Sequence, residues 1–190
     1  MTAIVFDTET TGLIKSLAQP LDKQPRIIEL YAVKVDAKWK KVDDLHLLIH
    51  PELKLSEEII KITGINDSML KGKPLFAKVA PQIEKFFSDA NKIIAHNLTF
   101  DTDMLDLEWK RYGQTMPRKP QSDFARFPFK REQALICTVE ATEWLLGRRM
   151  KLQELHVHLF KKEFEGAHRA KSDVEALLAC CKELAKRNAL

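Results

Sequence analysis

The segment from Ile4 to Leu13 constrains the fold more than any other part of this 190-residue chain. A short run of apolar, β-favouring residues leads here into Asp7 and Glu9, which stand two residues apart. Because alternate side chains of a strand point to the same face, both carboxylates should project together from the end of a buried strand. Acids held that close repel each other, and a divalent cation with oxygen ligands relieves the repulsion. Exposed acids at a strand end are the simpler alternative.

The hydrophobic pattern predicts an α/β fold in one domain covering residues 1–190. We expect three strands that form an antiparallel meander, a later buried strand, and helices between and after them. The expected strands are 2–7, 27–36, 39–49 and 92–95. The expected helices are 56–63, 79–88, 98–112, 137–146, 151–160 and 172–186, the last of them capped by Ser172.

The composition is that of a soluble globular protein, with 45% hydrophobic and 31% charged residues. No apolar run approaches the roughly 20 residues that cross a bilayer, so we expect no membrane partner. The chain runs straight into its first strand without a basic and apolar leader, which favours a cytoplasmic location, with association with the nucleoid also open. Three cysteines suit neither a disulfide framework nor a zinc site and are interpreted as small packing residues: Cys137, Cys180 and Cys181.

The net charge of +4 permits a polyanionic partner without requiring one. Positive charge is concentrated in residues 113–134, a Pro-rich stretch longer than ordinary connections. This stretch also carries three phenylalanines, Phe124, Phe127 and Phe129. Aromatic and basic residues interleaved in this way suit single-stranded nucleic acid, but the phenylalanines could equally anchor the loop to the body. A second basic group is simplest to interpret as a solvated helix end: Arg148, Arg149 and Lys151.

A second group of polar residues follows the strand expected at 92–95. His96 and Asn97 come directly after that strand, and Asp101 falls in the first turn of the next helix. An acid at a helix start is also favoured by the helix dipole alone, so this placement has a structural explanation too. Asp103 lies about 200° round the helix from Asp101, so at most one of the two faces the sheet. We prefer Asp101, because it lies beside the apolar face at the strand-facing end.

A third group places a histidine ahead of an acid at the entrance of the last helix. His168 follows Gly166 and Ala167, and Asp173 comes five residues after the histidine. A lone histidine is more often structural or merely solvated. In this setting it is a better candidate for a general base, because its ordinary pKa lies near neutral.

Taken together, the three groups resemble the DEDDh 3′–5′ exonucleases, the DnaQ-like branch of the ribonuclease H-like superfamily. The similarity extends over about residues 2–185. The segments that carry it are Asp7–Leu13, Arg26–Leu30, Ile62–Ile65, His96–Asp101 and His168–Asp173. The resemblance implies a ribonuclease H-like mixed five-stranded sheet with helices packed on both faces.

The resemblance also implies a two-metal phosphodiesterase. Four acids would hold two divalent ions, Mg²⁺ or Mn²⁺: Asp7, Glu9, Asp101 and Asp173. His168 would take the proton from the attacking water. The products would be nucleoside 5′-monophosphates released from the 3′ end of a nucleic acid.

The resemblance further implies a set of substrate-binding residues: Thr8, Thr10, Leu13, Ile65, His96 and Asn97. The two threonines would meet the sugar and its 3′-OH, and the two aliphatic residues would pack against the terminal base. Ordinary core packing explains Ile65 as an alternative. Capping of the following helix explains His96 and Asn97 equally well.

Single-stranded DNA is the leading substrate, with a polymerase or a repair system as the candidate protein partner. RNA trimming is the alternative within the class, because the same acids serve both sugars and no residue reports on the 2′-OH. A non-catalytic, polymerase-associated binding module is the alternative from another class. Such a module need not keep all four acids and the histidine, and this chain has them all.

Overall fold

In the computed structural model, which describes residues 2–115 and 132–187, a mixed five-stranded sheet has helices against both of its faces. The strands are β1 (Ala3–Thr10), β2 (Ile27–Val35), β3 (Lys41–Leu48), β4 (Lys92–Ala95) and β5 (Ala134–Cys137). The helices are α1 (Glu57–Thr63), α2 (Asp67–Leu70), α3 (Phe76–Phe87), α4 (Leu98–Thr115), α5 (Thr138–Leu146), α6 (Leu152–Phe160) and α7 (Ala170–Lys186). A single 3₁₀ turn, Leu21–Lys23, precedes β2.

The sheet has the order β3-β2-β1-β4-β5, with β1 at its centre. The first three strands form the expected antiparallel meander, and β4 and β5 run parallel to β1. In the β2–β3 register Tyr31 pairs with His46, and in the β1–β2 register Glu9 pairs with Glu29. This topology brings the ends of β1 and β4 to the same edge of the sheet.

Alternate residues of β1 serve two separate cores. Ile4 and Phe6 are completely buried and pack with side chains of α3 and α4 on one face. Val5, also completely buried, packs on the opposite face with Val174 and Leu177 of α7. Burying all successive side chains is the behaviour of a central strand covered on both faces. Asp7 and Glu9 have the same parity as Val5 and therefore lie on the α7 side.

Several element boundaries differ from the sequence-based expectation. Strand β1 extends to Thr10 because it stays paired with β2 as far as Ile27. Strand β5 was not located from the sequence, since it has only four residues, two of them exposed, and shows no clear period. Residues 116–131, which include the three phenylalanines and most of the charges of the predicted basic loop, lie outside the described residues.

The start of α7 is a correction with a physical reason. The helix begins at Ala170, so Ser172 lies inside its first turn and is not the cap. Arg169 occupies the cap position and makes no side-chain capping bond. Instead the N–H of Ala170 donates to the carboxylate of Glu29, at 3.1 Å. A buried acid on β2 thus satisfies one of the free N–H groups at the start of the helix.

Among the described helices, none is long and apolar enough to cross a membrane.

Candidate active site

Three carboxylates meet at the end of the central strand. Asp7 and Glu9 lie on the same face of β1, and Asp173 reaches them from the first turn of α7. One carboxylate oxygen from each lies within 4.8 Å of the other two. The two strand acids are adjacent because of the two-residue repeat of a strand, whereas the third is supplied by the helix that covers that face.

Asp101 lies next to this cluster and is held by the strand itself. Its Oδ1 accepts the hydroxyl of Thr8 at 2.6 Å and the backbone N–H of Thr8 at 3.0 Å. Since Thr8 lies between the two strand acids, this pairing fixes Asp101 beside them from the α4 side. The hydroxyl of Thr8, which we expected to meet a sugar, donates to a carboxylate here.

Burial raises the pKa of each of these four acids, and repulsion from its neighbours in the cluster adds to the shift at Asp7 and at Glu9. The pKa of Asp7 lies well above its ordinary value, through burial first and then through Asp101, Glu9 and Asp173. Burial followed by repulsion from Asp173 raises the pKa of Glu9 to about 8. Burial raises the pKa of Asp101 to about 7, although the two bonds from Thr8 oppose the shift. Burial also raises the pKa of Asp173 to about 6.

This donor set fits divalent metal ions. Clustered carboxylate oxygens are the ligands that hard cations such as Mg²⁺ and Mn²⁺ prefer. The raised pKa values measure how unfavourable it is to ionise these groups together without a counter-charge. A divalent cation supplies that counter-charge, so the residues present fit the expected group.

His168 is exposed and lies beside the acids on a constrained loop. Its backbone is in the left-handed region, with φ of 66°, and its N–H donates to Oδ2 of Asp173 at 3.0 Å. Gly166 has φ of 74°, and a Cβ there would lie 2.8 Å from Oγ of Ser172. Glycine is therefore required at 166 for the loop to approach the helix so closely. The backbone bond keeps the histidine close to Asp173.

A groove of about 850 Å³ opens over the cluster. It is lined by Asp7, Asp173 and His168 and also by His96 and Asn97. Asn97 is exposed, with φ of 66°. Four of the five predicted catalytic residues therefore line this groove or belong to the three-acid cluster. The fifth, Asp101, lies next to the cluster and is held there by its bonds to Thr8.

The predicted substrate-binding residues are placed differently from one another. Leu13 is 78% exposed beside the end of β1, so its side chain is free to meet a ligand. The hydroxyl of Thr10 donates to the carbonyl of Gly12 at 2.8 Å and closes the turn after β1. Ile65 has no exposed surface and packs with Ile28 and Leu70, so core packing describes it and we do not include it among the proposed substrate contacts.

His96 is a structural link in this conformation. Its Nε2 lies 3.0 Å from the carbonyl of Met150 and its Nδ1 lies 2.9 Å from the hydroxyl of Thr138. A carbonyl can only accept, so we assign the ring proton to Nε2, and Nδ1 then accepts from the threonine. Burial lowers the pKa of His96, in keeping with a neutral ring. Helix capping, the alternative explanation, is not the role seen.

Glu29 was not identified as a site residue from the sequence. It is completely buried, and it accepts hydrogen bonds from Arg169, Ala170 and His46. The available signal was a charged residue in the middle of the apolar run Ile27–Val35, since an acid is rarely buried without partners. The partners themselves lie up to 141 residues away along the chain and leave no local trace.

A five-stranded α/β fold with clustered acids at the end of its central strand is an arrangement suited to a metal-dependent nuclease. The RNase_T family model, described as Exonuclease, matches residues 4–181. The chain therefore belongs to this exonuclease family, and the assignment to DEDDh 3′–5′ exonucleases made from the sequence is confirmed.

Related sequences include DNA polymerases III of the PolC type. The chain is 37% identical over 113 residues to the protein of Caldanaerobacter subterraneus, covering 60% of this chain and 7% of that one. It is 34% identical over 189 residues to the protein of Lacticaseibacillus paracasei, covering 96% of this chain and 11% of that one. The chain thus spans about a tenth or less of the length of these relatives.

Solved structures of exonucleases share the fold. Exonuclease I matches with a TM-score of 0.75 and 18% identity, over 97% of this chain and 41% of that one. A 3′-exonuclease that recognises the histone mRNA stem-loop matches with a TM-score of 0.76 and 14% identity, over 99% and 64%. Exonuclease X matches with a TM-score of 0.66 and 21% identity, over 99% and 93%. The expected ribonuclease H-like fold, with helices on both faces of a mixed five-stranded sheet, is confirmed.

Proposed function

We propose that this chain is a metal-dependent 3′–5′ exonuclease that acts on single-stranded DNA and releases nucleoside 5′-monophosphates. The observation that carries the proposal is the three-carboxylate cluster of Asp7, Glu9 and Asp173, whose oxygens lie within 4.8 Å of one another. An exposed histidine in the same groove adds a side chain that can act as a general base. Membership of the exonuclease family supports this assignment.

The four acids would hold two divalent cations, Mg²⁺ or Mn²⁺, in this proposal. When bound, such ions offset the carboxylate charge, activate water and stabilise the leaving oxygen. Asp7, Glu9 and Asp173 would supply the facing oxygens, and Asp101 would act from its position beside Thr8. Their raised pKa values would return toward ordinary values as the ligand charges are neutralised.

His168 would act as the general base. Its ring is exposed to solvent, so a proton taken from the attacking water has a direct route to bulk water. The bond from its backbone N–H to Asp173 keeps the imidazole near the acids without using either ring nitrogen. The histidine can therefore change protonation state while the loop stays in place.

The 3′-terminal nucleotide would lie between the acids and the exposed side chain of Leu13. Leu13 would offer apolar surface to the terminal base, and Asn97 would offer a polar side chain within the groove. Thr8 would act by holding Asp101 in place, because both its hydroxyl and its backbone N–H bond to that acid. Thr10 would contribute backbone groups, since its hydroxyl bonds to Gly12. A contact from His96 requires its link to Met150 to break, so we assign it the structural role.

DNA is favoured over RNA by the relatives. The PolC-type DNA polymerases reach 34–38% identity, whereas the neighbour that acts on histone mRNA is 14% identical. A structure of exonuclease I holds a dT13 oligonucleotide, which makes single-stranded DNA the first substrate to test. The polymerase relatives also support proofreading or repair as the setting, with a polymerase as the candidate partner. RNA trimming is the second candidate, because the RNA-acting neighbour shares the fold over 99% of this chain.

The test uses 5′-labelled single-stranded DNA and RNA of matched sequence. Wild-type protein with Mg²⁺ should shorten the DNA one nucleotide at a time from the 3′ end, and EDTA should stop it. Asp7→Asn should abolish the ladder, whereas Asp106→Asn, which changes an acid paired with Lys110 on the surface of α4, should not. A chain that binds DNA but gives no ladder would be a binding module, and faster shortening of RNA would reverse the substrate assignment.

A further inference from the structure

The groove over the acids is lined by cations as well as by carboxylates. Arg148, Arg149 and Lys151 line it together with Asp7 and His168. These three cations, here called the basic turn, connect α5 to α6. The sequence alone left them as a solvated helix end. Their position in the same groove as the catalytic acids is new information from the fold.

The basic turn is held firmly to the sheet. Met150, in its middle, is 4% exposed and packs against Leu155, Cys180 and Leu184. The carbonyl of Met150 accepts the Nε2–H of His96, which follows β4 directly. The backbone of the basic turn is therefore fixed relative to the acids, and the three basic side chains extend from this fixed backbone. Ligand sites built on rigid backbone lose less conformational freedom on binding.

The present partners of the two arginines are weak competitors for a ligand. Arg148 pairs with Glu154 at 3.3 Å and Arg149 with Glu143 at 3.0 Å, and in both pairs the side chains are about half exposed. Exposed ion pairs contribute between 0 and about 1 kcal/mol. A phosphate offers arginine a bidentate, charge-assisted contact that is stronger than such a pair. The turn can therefore exchange its surface pairs for phosphate at little cost.

We infer that the basic turn is the subsite for the phosphodiester backbone upstream of the cleaved bond. The inference rests on the proposed function, since an enzyme that holds a 3′ end at its acids has the rest of the strand only on the 5′ side. A single strand leaving the acids along the groove must pass the basic turn. Electrostatic contact with phosphates is independent of sequence, as removal of successive nucleotides requires.

The experiment compares two variants with the same loss of charge. The test variant is Arg148→Gln/Arg149→Gln/Lys151→Gln. The control is Lys182→Gln/Lys186→Gln/Arg187→Gln, at the far end of α7, about 18–25 Å from its start at 1.5 Å per residue. Each is assayed on a 5′-labelled single-stranded decamer and on the p-nitrophenyl ester of thymidine 5′-monophosphate. The ester has one phosphate and no upstream nucleotide.

We expect the test variant to raise KM for the decamer about tenfold or more and leave kcat/KM for the ester within about twofold. Each lost phosphate contact should reduce the slope of log(kcat/KM) against log[salt] by about 0.7. The control should keep the wild-type slope. An unchanged decamer KM and slope would overturn the inference, and so would an equal loss on decamer and ester, which indicates general damage.

Binding separates this inference from the proposed activity. Anisotropy of a fluorescent (dT)10 in Mg²⁺ is measured with Asp7→Asn protein, with and without the three glutamines. Weaker binding with a shallower salt dependence supports the subsite even if wild type cleaves nothing, which would remove the proposed function alone. Equal affinity with and without the glutamines would remove the subsite, whatever the cleavage assay shows.

Discussion

Arg169 donates two hydrogen bonds to the buried carboxylate of Glu29, one from Nε at 3.2 Å and one from Nη2 at 3.0 Å. The same carboxylate accepts the N–H of Ala170 and the Nε2–H of His46. Burial alone would raise the pKa of Glu29, but the bonds from Arg169 and His46 hold it below its ordinary value. Because Arg169 is next to His168, this ion pair attaches the loop that carries His168 to β2.

Removing or weakening the ion pair between Arg169 and Glu29 should lower both the free energy of unfolding and kcat. Arg169→Ala leaves the buried Glu29 short of two donors, which should lower the free energy of unfolding by about 1–3 kcal/mol. Arg169→Lys keeps the charge but loses the bidentate geometry, so we expect a smaller loss and a reduced kcat. Urea unfolding and decamer hydrolysis measure the two effects. Arg187→Lys, in an exposed pair with Glu183, is the control and should change neither. Wild-type kcat in Arg169→Ala would contradict a positioning role.

Metal ions should stabilise the fold through the acid cluster. At about 100 times Kd, Mg²⁺ or Mn²⁺ should add about 2.7 kcal/mol, which corresponds to roughly 5–10 °C in Tm for a chain of this size. Asp7→Asn should lose most of this gain and should melt above wild type in EDTA, because one repelling charge is gone. Asp106→Asn should follow wild type in both conditions. A lower Tm in EDTA together with a full metal response in Asp7→Asn would contradict the site.

Without metal, stability should fall as the pH rises from 6.5 to 8.5. The pKa of Glu9 is raised to about 8 and that of Asp101 to about 7, so the folded chain binds more protons than the unfolded chain in this window. The free energy of unfolding therefore decreases with pH until these groups are ionised. The lowered pKa of His96 acts mainly below about pH 6.5, where the unfolded chain takes up its proton.

Urea unfolding in EDTA at several pH values measures this slope. Saturating Mg²⁺ should flatten it, because the ligands are then ionised throughout the window. Asp7→Asn should have a shallower slope than wild type. Stability that is constant or that rises with pH in EDTA would show that the pKa values of these carboxyl groups are not raised in the folded protein.

Replacing His168, the proposed general base, should reduce kcat without affecting metal binding. His168→Asn is the sharpest variant, because asparagine accepts the left-handed backbone found at this position better than alanine does. We expect kcat to fall by about 10²–10⁴-fold while the metal-induced rise in Tm remains. His158→Asn, an exposed histidine on α6, is the matched control. A loss of the metal response in His168→Asn would instead assign the histidine a part in holding the ligands.

Local patterns predicted the parts of the site that lie close together in the chain. The two-residue spacing of Asp7 and Glu9 and the helix-start position of Asp101 both follow from short-range geometry. The meeting of Asp7 with Asp173 depends on which face of β1 the last helix covers, and no local pattern reports that. The family resemblance supplied this long-range information.

Two of the predicted substrate-binding residues have structural contacts that the sequence did not show. His96 bonds to Thr138 and Met150, which lie 42 and 54 residues later. The residues next to His96 in the sequence therefore do not indicate this structural role. Ile65 follows the turn after α1, and only its packing against Ile28 shows that it belongs to the core. In both cases the tertiary contacts favour a structural role over the substrate contact that the family resemblance implied.

The order in which the acids occur has a consequence for synthesis of the protein. Asp7 belongs to β1, and Asp173 belongs to α7, which follows the other described strands and helices and completes the second core by covering Val5. A ribosome-bound fragment that ends before His168 lacks both this histidine and Asp173. Under the proposed function, such a fragment therefore cannot cleave nucleic acid. The site is complete only once α7 has been translated.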